Sequence, residues 1–370
     1  MKKAASKRAL QCALACALAA TLAAGMTAAQ NAQAKQSLNP DPSQPQYYSR
    51  YSSIEEAREA GNAINESIAA EGIVLFKNTD VTPGQKALPL AGGSKVSLFG
   101  SVSTNLRQSG GGSGSGQSNE GEYLTTEQVF TQAGFKVNNT LYSMYERANS
   151  RNEIGMENYT EDVTSSYKDY SDAAIIFISR AAGGENYDAY LGNGVSNHSQ
   201  QMDANEIALF EHVKAQQDEN GDPLFKKIVV VINTADPFEV ARYQDDERVQ
   251  AVVWMGLLGS TGHKMLPKIL NGDVNPSGHT VDIWPADLRQ DPAWFNFADN
   301  NQVGGSINIT GTDPAGNTLE GAIAEDGEVA NPIFKALTYK EGIYMGYRWY
   351  ETADTVEGYF SNTVGDEDVS

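Results

Sequence analysis

Residues 173–190 read AAIIFISRAAGGENYDAY. The first six are apolar in unbroken succession, without the polar alternation of a strand that faces water on one side. Such a run is the pattern of a strand buried on both faces. KIVVVIN (227–233) and VQAVVWMG (249–256) repeat it, and IVLFKN (73–78), KVSLFG (95–100) and FKV (135–137) read as further strands. Between them lie stretches with helical spacing. Ala57, Ala60, Ile64 and Ile68 recur along a helix expected from about Ile54 to Ala70 and stopped by Gly72. Further helices are expected near Thr125–Ala133, through LYSMYERA (141–148), over DANEIALFEHVKAQ (203–216), briefly near Phe238–Tyr243, and over TGHKMLPKIL (261–270). Strand–helix alternation of this kind predicts an α/β fold, a largely parallel sheet sandwiched by helices. In such sheets ligands bind beyond the carboxyl ends of the strands. The opening stretch leaves a strand at such an end and carries Glu185 and Asp188.

The chain has 370 residues, 40% hydrophobic and 20% charged, which suits a soluble globular protein with a substantial core. Residues 1–34 read as a secretory signal. Lys2, Lys3, Lys7 and Arg8 precede an alanine- and leucine-rich run, and Ala32-Gln33-Ala34 offers a small-x-small cleavage site. A membrane anchor is the alternative, but Gln11, Thr21 and Thr27 interrupt the run before it reaches the ~20 apolar residues of a bilayer crossing. Both cysteines, Cys12 and Cys16, fall in this segment. A lipid-bearing Cys16 is a second alternative, with Ala13 standing where leucine is usual. Beyond residue 34 the chain has no thiol for disulfides, nucleophilic catalysis or metal binding. An exported, cell-envelope or extracellular protein of bacterial type is the expectation. Removing the four basic residues of the signal leaves 23 basic against 47 acidic residues, a net charge near −24. So acidic a chain repels phosphate backbones, which argues against nucleic acid as a partner and favours neutral or cationic ligands.

Several segments present candidate chemistry. Gly183 and Gly184 loosen the backbone before Glu185, and a carboxyl there serves as general acid or base if its surroundings raise its pKa. Solvated loop acids are the plain alternative. RQSGGGSGSGQSNE (107–120) holds Arg107, Gly112, Ser113 and Gly114. It lacks a Gly-Lys-Ser/Thr ending, so a phosphate loop is disfavoured against a flexible linker or a sugar-lining loop. NTADP (233–237) reads as turn chemistry and a helix cap, supplied by Asn233, Asp236 and Pro237. LNGDVNPSGHTVDIW (270–284) reads as a structural corner. His198, His212, His263 and His279 show no metal-binding spacing, and no cofactor is implied. The chain contains no G-x-S-x-G between strand and helix, so a serine hydrolase triad is not indicated.

Taken in order, EGIVLFKN with ALPL, KVSLFG, GGGSGSG, ISRAAGGENYD, VVVINTADPFEV, VVWMGLLGSTG and GDVNPSGHTVDIW resemble glycoside hydrolase family 3, across about residues 54–352. That family includes β-glucosidases and β-xylosidases. The resemblance implies its six-stranded α/β sandwich domain, here preceded by a signal and a short arm, as in the branch where the sandwich precedes the (β/α)8 barrel. YKEGIYMGYRWYET (339–352) looks like the lead into the family's fibronectin-like domain. The organisation expected is a signal (1–34), an arm (35–53), the sandwich (54–290), a loop-rich excursion (291–337) and the start of a linker (338–370), with the fibronectin-like and barrel domains outside this sequence.

A retaining glycosidase needs two carboxyl groups, one nucleophile and one acid/base. The resemblance places the acid/base at Glu185, in GGENYDA against a family motif like G-E-G-x-D-R, and implies substrate contacts from Asp188, Arg107, Gly112, Ser113 and Gly114. Asn186 and Ala189 depart from that motif. The family's nucleophile is an aspartate in a barrel motif like Ser-Asp-Trp, which this sequence lacks; VDIW around Asp282 belongs to the corner. The expected function is the acid/base half of an exported β-glucosidase acting on β-linked glucosides or related oligosaccharides, with a barrel as partner in cis or in trans. A non-catalytic carbohydrate-binding or scaffold protein on the same sandwich is the rival, and a dinucleotide enzyme is disfavoured because no G-x-G-x-x-G follows IVLFKN.

Overall fold

A computed structural model describes residues 49–110, 123–180, 200–296, 307–308, 335–336 and 341–356. The chain divides into two compact units, Met1–Ala63 and Ile64–Ser370. In the first, the described residues open helix α1 (Ile54–Gly72), whose start is capped by Ser53 Oγ accepting from the Glu56 backbone (3.1 Å) and by Glu56 accepting from Ser52.

In the second unit the strands run β1 (Val74–Asn78), a small hairpin β2 (Asp80–Thr82) and β3 (Gln85–Lys86), β4 (Lys95–Phe99), β5 (Lys136–Val137), β6 (Ala173–Ser179), β7 (Ile228–Asn233) and β8 (Ala251–Trp254). Six of them form one sheet in the order β1-β8-β7-β6-β4-β5. From β5 through β8 neighbours pair in parallel, and only β1 runs antiparallel, against β8, with an irregularity between Leu75 and Lys77. This is the largely parallel sheet the sequence predicts, with all six expected strands in it. The central strands β6 and β7 are buried at every position, while β1 at the edge is only half-buried beyond Val74.

Alternate residues of each strand feed two cores, one on each face. Ile175, Phe177, Val229, Val231 and Val253 meet Phe130 of α2 (Thr126–Gln132) and Met265, Leu266 and Ile269 of a late helix (Met265–Leu270). Ile176, Ile178, Val230, Ile232 and Val252 meet Leu141 and Tyr145 of α3 (Asn139–Ala148), Val163 of α4 (Glu161–Ser166) and Leu209, Phe210 and Val213 of α5 (Ala204–Ala215). The result is a helix–sheet–helix sandwich.

Local chemistry sets the helix ends. Thr125 and Gln128 form a capping box on α2, and Asp203 and Glu206 do the same on α5. Pro267 stands in the first turn of the Met265–Leu270 helix, where its missing N–H costs nothing.

The expected helix is present as α1, and its isoleucines are not its buried residues: Ile64 and Ile68 are exposed, whereas Ala69 is buried and Asn65 bonds the carbonyl of Leu258 (2.9 Å) and accepts from Thr261 (3.2 Å). The reason is closeness. A Cβ on Gly262 would stand 2.9 Å from that of Ala69, so the helix approaches through its small residue and its bulky ones turn away. The short helix after β7 begins later than expected, as α6 (Ala241–Gln244), with Phe238 and Val240 buried ahead of it. It takes no side-chain cap, so Asp236 is not a helix cap; its backbone N–H donates to Thr234 Oγ1 (3.2 Å) in a local turn.

The corner expected over 270–284 is present. Gly278 lies so close to the chain opposite that a Cβ would come within 2.6 Å of the carbonyl oxygens of Gly72 and Ile73. Tyr347–Asp354 forms a helix that the aromatic density of that segment did not announce.

Candidate functional site

The parallel strands point their carboxyl ends at one rim of the sheet. β6 ends at Ser179, and Arg180 follows. The Arg180 guanidinium is nearly buried and makes a two-pronged ion pair with Glu206, Nη1 to Oε1 at 2.7 Å and Nη2 to Oε2 at 2.6 Å. It also donates to the carbonyls of Ser179 and Gln201 and lies over the ring of Phe238, 4.9 Å from its centre. Glu206 is itself held by the α5 cap, accepting from the Asp203 N–H at 2.9 Å. The contact from Arg180 to Gln201 spans residues 181–199, and the Glu239 N–H adds a bond to the Gln200 carbonyl (2.9 Å). Glu185 and Asp188 belong to 181–199 and lie outside the described residues, but both approaches to them are fixed.

The stretch with Arg107 is anchored beside it. Asn233, the last residue of β7, bonds both backbone groups of Arg107. Gln108 accepts from the Gly259 N–H (2.9 Å). On the far side, Tyr123 stacks on His263 at 4.7 Å, and the Leu124 carbonyl takes a hydrogen bond from His263 Nε2 at 2.9 Å. A neutral imidazole that donates from Nε2 leaves Nδ1 bare, and that buried nitrogen has no partner among the described residues. Burial accordingly pushes the His263 pKa below the usual histidine range. Gly112, Ser113 and Gly114 lie outside the described residues. Of the residues assigned by motif, Arg107 alone is described, and the structure brings it to the end of β7.

Sequence reasoning passed over a further group. At the end of β4, the Gly100 N–H donates to Tyr145 Oη (2.9 Å) and the Ser101 N–H to Glu153 Oε2 (2.6 Å). Tyr159 donates to Glu153 Oε1 (2.8 Å) and is bonded to Tyr145. Burial raises the Glu153 pKa, against the opposing pull of these bonds. Nothing at position 153 marks it in the sequence, since it sits in the irregular stretch SRNEIG. The Arg180–Glu206 pair did leave a signal, a cap of the form Asp-x-x-Glu at 203–206.

A depression of about 350 Å³ is lined by Pro237, in the segment after β7, with Asp282, Ile283, Leu288, Asp291 and Tyr350. Burial raises the Asp291 pKa. Arg107, the described residue assigned by motif, is not among its lining. His212 packs between the rings of Tyr159 and Tyr167. Among the described residues, no three His, Cys, Asp or Glu side chains gather closely enough to hold a metal.

Known proteins match this architecture. The model of the glycosyl hydrolase family 3 C-terminal domain matches residues 73–347. Thermostable beta-glucosidase B of Acetivibrio thermocellus is 25% identical over 302 residues, covering 80% of this chain and 31% of that protein. Beta-glucosidase A of Butyrivibrio fibrisolvens is 25% identical over 312 residues, covering 77% and 32%. The solved structure of beta-glucosidase 3B from Thermotoga neapolitana in complex with glucose superposes with a TM-score of 0.56 at 22% identity, over 82% of this chain and 37% of that one, and thus shares its fold. The chain spans about a third of the length of these curated relatives. The family match runs from the start of β1 to the start of the last helix, and the sheet order, the two cores and the strand-end rim all lie within it: this chain belongs to the glycosyl hydrolase family 3 C-terminal domain family.

Proposed function

We propose that this chain is the sandwich part of an exported retaining β-glycosidase, acting on β-glucosides or related oligosaccharides. Glu185 serves as general acid/base and the nucleophile comes from a barrel domain, in cis or in trans. The observation that carries the reading is the bond between Arg180 and Gln201, the described flanks of 181–199, at the carboxyl end of a central strand beside the end of β7 and the Arg107 backbone. That is where an α/β sheet presents side chains to a ligand. The β-glucosidase names of the relatives supply the substrate class.

In this mechanism a barrel aspartate attacks the anomeric carbon while Glu185, protonated, gives its proton to the departing glycosidic oxygen. The C–O bond to the leaving group breaks and a covalent glycosyl ester forms. Glu185, now a carboxylate, takes a proton from water, which displaces the aspartate. Asp188, the Arg107 stretch and Gly112–Gly114 line the sugar. Residues 1–34 act as the export signal.

The test is hydrolysis of aryl β-glucosides and β-xylosides by residues 35–370, with and without a family barrel, beside Glu185→Gln. We expect negligible turnover by the chain alone, turnover with the barrel, and its loss in the variant. Turnover by the isolated chain would sink the half-site reading. Inactivity of both mixtures with a cooperatively folded chain, together with calorimetric binding of glucose, would favour a sugar-binding module instead.

A further inference from the structure

Asn233 ends β7 with its side chain fully buried. Its Oδ1 accepts from the Arg107 N–H at 2.7 Å and from Ser179 Oγ at 3.2 Å, and its Nδ2 donates to the carbonyls of Arg107 at 3.0 Å and Gly256 at 2.6 Å. An amide side chain has two donors and an oxygen that accepts twice, so its whole capacity is in use. Three stretches remote in sequence meet on this one group: the chain after β4, the end of β6 and the chain after β8. The backbone repeats one of the links, with the Arg180 N–H 3.4 Å from the Asn233 carbonyl. Aspartate would offer acceptors where two carbonyls need donors, and serine or threonine would supply one donor in place of two.

From Arg107 the chain leads into the glycine-rich stretch; from Ser179 it leads into Glu185. We infer that Asn233 is a positioning residue for the acid/base reaction, one that holds Arg107 and Ser179, from which these two stretches depart, at a fixed spacing. The inference rests on Glu185 as acid/base, and it adds a group that touches neither the substrate nor the reacting atoms. Fixing the two approaches relative to one another is what preorganises the acid against the sugar, because a displacement of an ångström between them costs rate without removing any catalytic group.

The test is amide hydrogen exchange on the whole chain, read in peptides covering 105–110, 178–180 and 254–257, for wild type, Asn233→Ala, Asn233→Asp and a core control, Val231→Ala. Asn233→Ala should speed exchange in all three peptides together by roughly tenfold, the effect of losing a buried hydrogen bond. Val231→Ala should not do so at an equal loss of Tm. Asn233→Asp should lose protection near neutral pH, where its carboxylate opposes two carbonyls. It should regain part of it as the pH falls and the acid becomes a donor, a pH response that alanine cannot show. The inference is overturned if the core control reproduces the pattern, if only the 254–257 peptide responds, or if Asn233→Asp is protected like wild type at pH 7. Should Asn233→Ala fail to fold, the pH response of Asn233→Asp decides.

With a barrel supplied, Asn233→Ala should lower kcat more than it changes KM. Unchanged turnover in Glu185→Gln sinks the acid/base reading and leaves the exchange pattern to decide the coupling. A dead Glu185→Gln beside an Asn233→Ala of undiminished kcat overturns the positioning role alone.

Discussion

Ile176 and Val230 sit in the middle of β6 and β7; Ser179 and Asn233 end the same strands. The first pair is held by apolar neighbours on one face of the sheet, and any side chain of similar volume would serve. The second pair is held by hydrogen bonds with direction and fixed length. Packing tolerates exchange of shape, while a donor or acceptor left unpaired in the interior is penalised in full. The rim is therefore the more exacting region although it holds less apolar surface. It is also the region from which the proposed acid/base segment departs.

The sharpest way to break this contrast is at the end of β4. Gly100 has φ +97°, and a Cβ there would lie 2.3 Å from the Phe177 carbonyl oxygen. Gly100→Ala combines a left-handed backbone with a clash against immovable main chain, and should cost about 4 kcal/mol or more, in the range of strained and overpacked sites. Urea unfolding, or failure to obtain soluble chain, would register it. A variant of wild-type stability would show that the rim yields as easily as the core.

Arg180 tests charge against shape. Arg180→Met leaves Glu206 buried without its ion-pair partner and should cost about 3–5 kcal/mol in chemical denaturation. Arg180→Met with Glu206→Met should recover most of that loss, since an apolar pair of similar volume replaces a buried ion pair at little cost. If the double variant is as unstable as the single one, the guanidinium's bonds to the Ser179 and Gln201 carbonyls and the Glu206 bond to the Asp203 N–H together matter more than the ion pair.

The smallest effect is a pH dependence. The Glu153 carboxyl titrates above its ordinary range, chiefly through burial. A group that holds its proton more tightly when folded contributes stability that is full below its unfolded pKa, about 4.3, and is lost as the pH rises through the folded value. Wild type should therefore lose stability relative to Glu153→Gln as the pH is raised from about 4 toward neutrality. His263 works in the opposite sense, its lowered pKa removing stability as the pH falls below about 6.5. A wild-type minus variant difference that stays flat with pH would mean that Glu153 is solvated rather than buried.

Legibility divides along the same line. The central strands were legible because unbroken apolar runs mark burial on both faces. The caps at Thr125 and Asp203 were not read from the sequence, although each acts on the turn beside it. The buried face of α1 was not legible, because it is set by the close approach of Ala69 to Gly262, a residue remote in sequence. Asn233 read as turn chemistry because its partners, Arg107, Ser179 and Gly256, are 126, 54 and 23 positions away. Glu153 had no signal, since its partners Ser101 and Tyr159 arrive from separate elements.

By itself, then, the sequence determined the α/β class, the six strands, the family and Glu185 as the candidate acid. These rest on local period and on motifs. Tertiary structure alone decided the strand order, the antiparallel edge, which face of α1 turns inward, and the meeting of Arg107, Ser179 and Gly256 on Asn233. Those depend on which distant segments share a neighbour, and burial and hydrogen-bond direction settle that only once the sheet has closed.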